Sequence, residues 1–181
     1  MYLVRPRCTV RDWRIDDASA LSKHANNRKI WANVRDRFPS PYTIEDAEQW
    51  VRHCCRALPA TDFAVELDGE VVGGIGVVLQ SDVERVSAEL GYWLGEEAWG
   101  RGVMTEAVAA FVPWAFERYN LTRIYAHVFE FNVASARVLE KAGFVCEGRM
   151  RKAVIKDGRV LDELMYARVR EDGYFGDAAS R

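Results

Sequence analysis

Between residues 104 and 115 the apolar positions fall at 104, 107, 108, 111, 112 and 115, one stripe along a helix. Pro113 lies in that stretch and is predicted to kink it, because proline removes a backbone donor. Other segments follow a strand pattern. Residues 3–13 read as a first strand, 86–94 as another and 123–131 as a third. Residues 62–67 and 71–80 flank Asp68-Gly69, and 144–156 and 159–169 flank Asp157-Gly158. Asp-Gly readily takes the positive φ angles of a tight turn, so each pair predicts a hairpin. Asp16 and Asp17 open a polar–apolar stretch to about Val34 that suits one or two helices. Pro39 and Pro41 forbid helix between them, and Thr43 with Asp46 predicts the cap of a helix ending near Ala57. Asn132 caps a short helix to Ala142, which stops at Gly143.

The order β, α, α, β, β, β, α, β, α, β, β predicts a mixed α/β (α+β) fold. Its sheet is mostly antiparallel, with about seven strands and about four helices on both faces. No repeat, low-complexity tract or linker interrupts the chain, so 1–181 is expected to form a single domain. Charge narrows the function classes. With 25 basic and 27 acidic residues there is no basic excess to neutralise a run of phosphates, and nucleic-acid binding is not expected. The sequence offers no signal-peptide pattern and no membrane-spanning apolar run, which points to a cytoplasmic protein without a membrane partner. Cys8, Cys54, Cys55 and Cys146 match no zinc spacing, so free thiols and no metal are expected.

Two segments carry candidate chemistry. In the first, residues 89–107, a strand runs into Trp99-Gly100-Arg101-Gly102-Val103-Met104-Thr105 and then into the striped helix. The first turn of a helix has backbone N–H groups without internal partners and a positive dipole end, so a diphosphate can rest on the N–H groups of residues 100–105. A glycine turn entering a helix, with no ligand, explains the same residues. No lysine lies in 99–107, which excludes the nucleoside-triphosphate loop, and Thr105 stands where a dinucleotide fingerprint needs glycine. Gly73-Gly74-Ile75-Gly76 sits inside a strand, where backbone crowding accounts for it. The second segment is Asn132-Val133-Ala134-Ser135-Ala136-Arg137-Val138-Leu139-Glu140-Lys141-Ala142-Gly143-Phe144, which by itself reads as a capped amphipathic helix.

In this order and spacing, the two segments resemble the GNAT superfamily of acetyl-CoA-dependent N-acetyltransferases. The similarity is greatest to the ribosomal-protein-alanine (RimJ/RimL-like) branch. Glu89-Leu90-Gly91-Tyr92-Trp93-Leu94, Met104-Thr105-Glu106-Ala107, Pro39-Ser40-Pro41-Tyr42-Thr43 and the region from Asp157-Gly158 to Asp162 look like that branch too. The resemblance implies that residues 99–105 hold the coenzyme diphosphate and that Tyr92, Trp93 and Leu94 lie along the pantetheine arm. Asn132 would meet that arm from the other side, with Ser135 near the sulfur and Arg137 and Lys141 in reach of phosphates, although both suit solvated surface. Trp99, Gly102 and Met104 depart from the usual superfamily loop. Leu139 stands where many members carry the tyrosine that protonates the leaving thiolate, leaving Ser135 or water for that role.

Acetyl transfer to an amine needs the amine unprotonated, which an α-amine with pKa about 7.7–8.0 approaches far better than a lysine near 10.4. The enzyme must therefore supply a base, often through water. The resemblance implies Glu89 for that role, with His127 on the following strand as second candidate. A structural carboxylate and a neutral, partly buried histidine are the alternatives. Arg28, Arg35, Arg37 and Trp31 read as surface charges and a core aromatic. The function expected is transfer of acetyl from acetyl-CoA to a primary amine, either a protein N-terminus or a small molecule, and a homodimer is left open. The competing class is a non-catalytic acetyl-CoA-binding sensor or interaction module, which Leu139 favours and which Glu89 and His127 oppose.

Overall fold

A computed structural model describes residues 1–170; the last eleven positions of the expected 1–181 domain lie outside the described residues. Eight strands form one sheet in the order β1-β2-β3-β4-β5-β6-β8-β7. They are β1 Tyr2–Val4, β2 Thr9–Arg11, β3 Asp62–Leu67, β4 Glu70–Leu79, β5 Ser87–Leu94, β6 Arg123–Phe129, β7 Val145–Lys156 and β8 Arg159–Val169. The helices are α1 Ala18–Ala25, α2 Arg28–Trp31, α3 Ile44–Arg56, α4 Val103–Arg118 and α5 Val133–Lys141.

The mixed α/β class and mostly antiparallel sheet are as expected, with two local differences. Residues 3–13 form a hairpin instead of one strand, turned where Arg5 N donates to Cys8 O at 2.8 Å around Pro6. The 16–34 stretch breaks into a short 3-10 turn, α1 and α2, because the Asn27 side chain accepts from Lys29 N and starts a new helix. Elsewhere local chemistry sets the element ends. Thr43 and Asp46 exchange side-chain and backbone bonds as a capping box on α3. Asp68-Gly69 and Asp157-Gly158 have positive φ at both residues, as tight hairpin turns require. The helix α4 runs through Pro113 as one element, with the ring on the exposed side where water can serve the carbonyl that loses its donor.

Strand alternation sends side chains to two cores. Phe63, Val65, Ile75, Val77, Ala88 and Leu90 pack with α4 and with Leu139 of α5 on one face. On the other face, Ala64 and Val71 pack with Leu21, Ala25, Ala47 and Val51 of α1 and α3. The four-residue run from Gly73 to Gly76 is crowded as expected: a Cβ on Gly73 would stand 2.5 Å from Trp93 O, and one on Gly76 2.5 Å from Asp62 Oδ1.

The feature that positions the site is the single parallel pairing among the described residues. The strands β5 and β6 are joined by the α4 crossover and pair only from Ser87 to Glu89 against Arg123 to Tyr125. Beyond Glu89 they part. Strand β5 stays with β4 as far as Leu94, and β6 stays with β8 as far as Phe129. The sheet is thus forked at its centre.

Candidate active site

Strand alternation distributes the residues around the fork. Ala88, Leu90, Tyr92 and Leu94 face the α4–α5 side, and Glu89 faces the α1–α3 side. Glu89 is level with Tyr125, and His127 and Phe129 follow on the same face of β6. Across β8, Met165 is opposite His127 and Glu163 is opposite Phe129. One face of the fork therefore carries Glu89, His127 and Glu163, and the other carries Tyr92.

On the first face, Glu89 Oε1 lies 3.3 Å from His127 Nδ1 and accepts from Arg35 Nη2 at 2.5 Å, while Arg35 Nη2 and His127 Nδ1 are 3.4 Å apart. The His127 contact, then the Arg35 hydrogen bond and charge, outweigh burial and hold the Glu89 carboxyl down at about 2. Glu89 is ionised at every working pH. Arg35 is the residue that sequence reading assigned to the surface. It lies between α2 and α3, and no spacing rule connects it to a partner 54 positions away. Its guanidinium charge is reinforced by Glu89 and Glu163.

On the second face, the Tyr92 hydroxyl reaches across the fork to α5. It lies 2.8 Å from Ser135 Oγ and 3.2 Å from the Ser135 carbonyl oxygen. Burial pushes this hydroxyl up, so it stays protonated. The Asn132 side-chain oxygen caps α5 by accepting from Ser135 N at 3.0 Å. Leu139 is fully buried in the core below. Arg137 and Lys141 are exposed on α5, as solvated side chains would be.

At the end of β5 the chain enters the glycine loop. Gly100 and Gly102 have φ of 72° and 78°, a region in which other residues are strained, and Gly102 caps α4 without a side-chain hydrogen bond. The first N–H groups of α4 are thus left to an outside acceptor. Nothing stands within 4 Å of a Cβ built on Gly100, and one on Gly102 would meet Arg7 Nη1 at 3.4 Å. Arg7, which sequence reading did not single out, is ion-paired with Glu106 in the first turn of α4, and its exposed guanidinium lies beside the loop. Val103 and Met104 turn their side chains into the core, Thr105 is half-buried, and Arg101 is exposed toward Asp68. The Trp99 indole donates to Leu94 O at 2.7 Å and so ties the loop to the end of β5. Open backbone at two glycines, an uncapped helix start and Arg7 nearby fit a diphosphate.

A hollow of about 490 Å³ on the outside of α3, lined by Gln49, Arg52, His53, Arg56 and Ala57, contains none of these residues. Among the described residues no group of three His, Cys, Asp or Glu side chains is arranged to hold a metal, and no helix is long and apolar enough to cross a membrane. All four cysteines are free.

Comparison with known proteins identifies the family and the fold. The family model described as an acetyltransferase (GNAT) domain matches residues 7–145. The N-acetyltransferase p20 of Bacillus licheniformis is 29% identical over 175 residues, 94% of this chain and 97% of that protein. The [ribosomal protein uS5]-alanine N-acetyltransferase of Escherichia coli (strain K12) is 28% identical over 166 residues, 88% of this chain and 83% of that one. Among solved structures, Mycobacterium smegmatis RimJ in complex with CoA-disulfide superposes with a TM-score of 0.80 at 27% identity, covering 91% of this chain and 82% of that one.

Proposed function

Since this chain belongs to the acetyltransferase (GNAT) family, we propose that it acetylates a protein N-terminal α-amine, at a site made by Glu89, His127 and Ser135 beside the fork. The chain is an acetyl-CoA-dependent N-acetyltransferase, and bound acetyl-CoA supplies the acetyl group as a reactive thioester. The observation that carries the site assignment is the meeting at one fork of an ionised carboxylate–imidazole pair on one face and a hydroxyl pair on the other.

In this reading the backbone N–H groups of Gly100 to Thr105 hold the diphosphate, with Arg7 beside them. The β5 backbone at Tyr92, Trp93 and Leu94 pairs with the pantetheine arm on one side, with Asn132 on the other, and Arg137 is in reach of a phosphate. Glu89 alone is a poor final acceptor for a proton, because its pKa of about 2 lies far below that of an α-ammonium near 8. Its strength is electrostatic. It fixes the ring of His127 and stabilises a positive charge there or on a bridging water, so the pair acts as one proton-accepting unit. Ser135, hydrogen-bonded to the protonated Tyr92 hydroxyl, is the donor to the departing sulfur in place of the tyrosine that Leu139 replaces.

The acceptor assignment draws on the relative named for ribosomal protein uS5 alanine and on chemistry. An α-amine needs much less help to deprotonate than a lysine or polyamine. Thiol release from acetyl-CoA across a panel of N-terminal peptides and small amines tests it. Turnover with peptides is the expected result, and turnover confined to small-molecule amines would overturn the assignment.

A further inference from the structure

Arg35 stands where an incoming amine has to go. Its Nη2 is 2.5 Å from Glu89 Oε1 and 3.4 Å from His127 Nδ1, so an ammonium that reaches this pair meets a position already filled by a cation. The arginine side chain is 49% exposed, so it can swing outward without breaking a buried contact.

Behind it the site is acidic. Glu163 lies on the same sheet face, opposite Phe129, is only 6% exposed and is in Coulombic reach of Arg35. No hydrogen bond to its carboxylate exists among the described residues. The sole fully buried side-chain polar atom without a partner there is Trp13 Nε1. Glu163 is thus a second inner carboxylate, felt by the Arg35 guanidinium through its charge, while Glu89 holds the direct ion pair.

In front of it lies a crevice of mixed charge. Arg35 also lines a crevice of about 220 Å³ with Asp36, Phe129, Val154, Ile155 and Lys156. Lys156 is 3% exposed and is held in place by Asp36 Oδ1 at 2.6 Å and by the Trp31 ring, 3.5 Å from its centroid. Lys156 is thus fixed in its pair with Asp36, and Arg35 is the adjustable cation of the crevice.

We infer that Arg35 is a placeholder that exchanges partners when the acceptor binds: the acceptor's ammonium takes Glu89, and Arg35 takes an anionic group carried by the same acceptor. This rests on the N-terminal acceptor reading and names its class, an α-amine with a carboxylate or phosphate one or two residues further along. The charge accounting favours that class. A neutral acceptor displaces Arg35 from Glu89 and leaves the guanidinium with water and the longer-range charge of Glu163, whereas an acidic one gives it a new direct ion pair.

Steady-state kinetics of the full chain decide it, with the C-terminally amidated peptides Ala-Asp-Gly, Ala-phosphoSer-Gly and Ala-Asn-Gly, for the wild type and Arg35→Met. In the wild type the KM of an acidic peptide should lie about fivefold below that of the Asn peptide, the range of a partly exposed ion pair. The Asp and phosphoserine arms separate carboxylate from phosphate. In Arg35→Met the ranking should vanish and the KM of the Asn peptide should fall, because its competitor is gone, with the KM of acetyl-CoA unchanged. An unaltered ranking in Arg35→Met, or an equal rise in KM for all three peptides, overturns the inference. Should no peptide be acetylated, the acceptor reading fails separately. Methylammonium titrations followed by the His127 imidazole resonance then read the placeholder directly. Tighter binding to Arg35→Met supports it, and equal binding overturns it.

Discussion

Replacing Glu89 with glutamine keeps the shape of the side chain and removes its charge, so it isolates what the charge does. The carboxyl is lowered from 4.5 to about 2, a preference for the ionised form of roughly 3.4 kcal/mol shared between His127 and Arg35. A positive charge formed at the His127 ring, 3.3 Å from the carboxylate, is attracted by about 5 kcal/mol at an effective dielectric near 20. Arg35 Nη2, 3.4 Å from the same nitrogen, opposes that charge until the guanidinium moves aside. Both side chains of the Glu89–His127 pair are partly exposed, and solvent screening halves the attraction to ~2–3 kcal/mol. Converted to a barrier, this is a loss of about 10²-fold in Glu89→Gln, within the usual range for general-base assistance. The assay is thiol release at saturating acetyl-CoA with an alanine-terminated peptide, from pH 6 to 10. The deficit should be full near pH 7 and shrink above about pH 8, where the amine deprotonates unaided. The double variant with His127→Gln should be no slower than the worse single one, because a unit is lost only once. Acetyl-CoA affinity should stay within about twofold. A rate within threefold of wild type at pH 7, or a deficit that does not change with pH, would refute the reasoning.

Three further outcomes are expected. Gly102→Val places a β-branched residue at φ 78°, costing about 1–2 kcal/mol, and intrudes on the diphosphate; calorimetry should show acetyl-CoA affinity at least tenfold weaker, and unchanged affinity would move the diphosphate elsewhere. Ser135→Ala leaves Tyr92 bonded only to the Ser135 carbonyl and should lower kcat about 10²-fold while acetyl-CoA binding barely changes; a near-normal kcat would hand thiolate protonation to water. Because the folded pKa of Glu89 is depressed, its contribution to stability is complete above about pH 4.5 and is lost as the pH falls from there toward 2. Urea unfolding should therefore find Glu89→Gln less stable than wild type by about 1–3 kcal/mol at pH 7 and level with it near pH 2, and a constant gap would contradict the pairing.

The elements that sequence alone could supply are those governed by neighbours along the chain. The 104–115 stripe, the Thr43–Asp46 capping box and the two Asp-Gly turns depend on periodicity or on one residue's tolerance of positive φ, and each stands in the structure where its pattern put it. The glycine loop was legible for the same reason, since Gly100 and Gly102 announce left-handed backbone just ahead of a helix. Even the missed β1–β2 turn had a local sign in Pro6. What no local pattern carries is the fork. Strands β5 and β6 look ordinary in sequence, and only the competing pairings with β4 and β8 draw them apart after Glu89. That parting opens the fork beside Glu89 and His127 and gives Tyr92 its reach to Ser135. It also leaves room for Arg35 and Glu163, which, like Arg7 at the start of α4, have neighbours remote along the chain and near only in the folded protein. Local backbone preferences are written in short windows of residues, but side-chain charges act through space, so the identity of the loop belonged to the sequence and the electrostatics of the site to the tertiary structure.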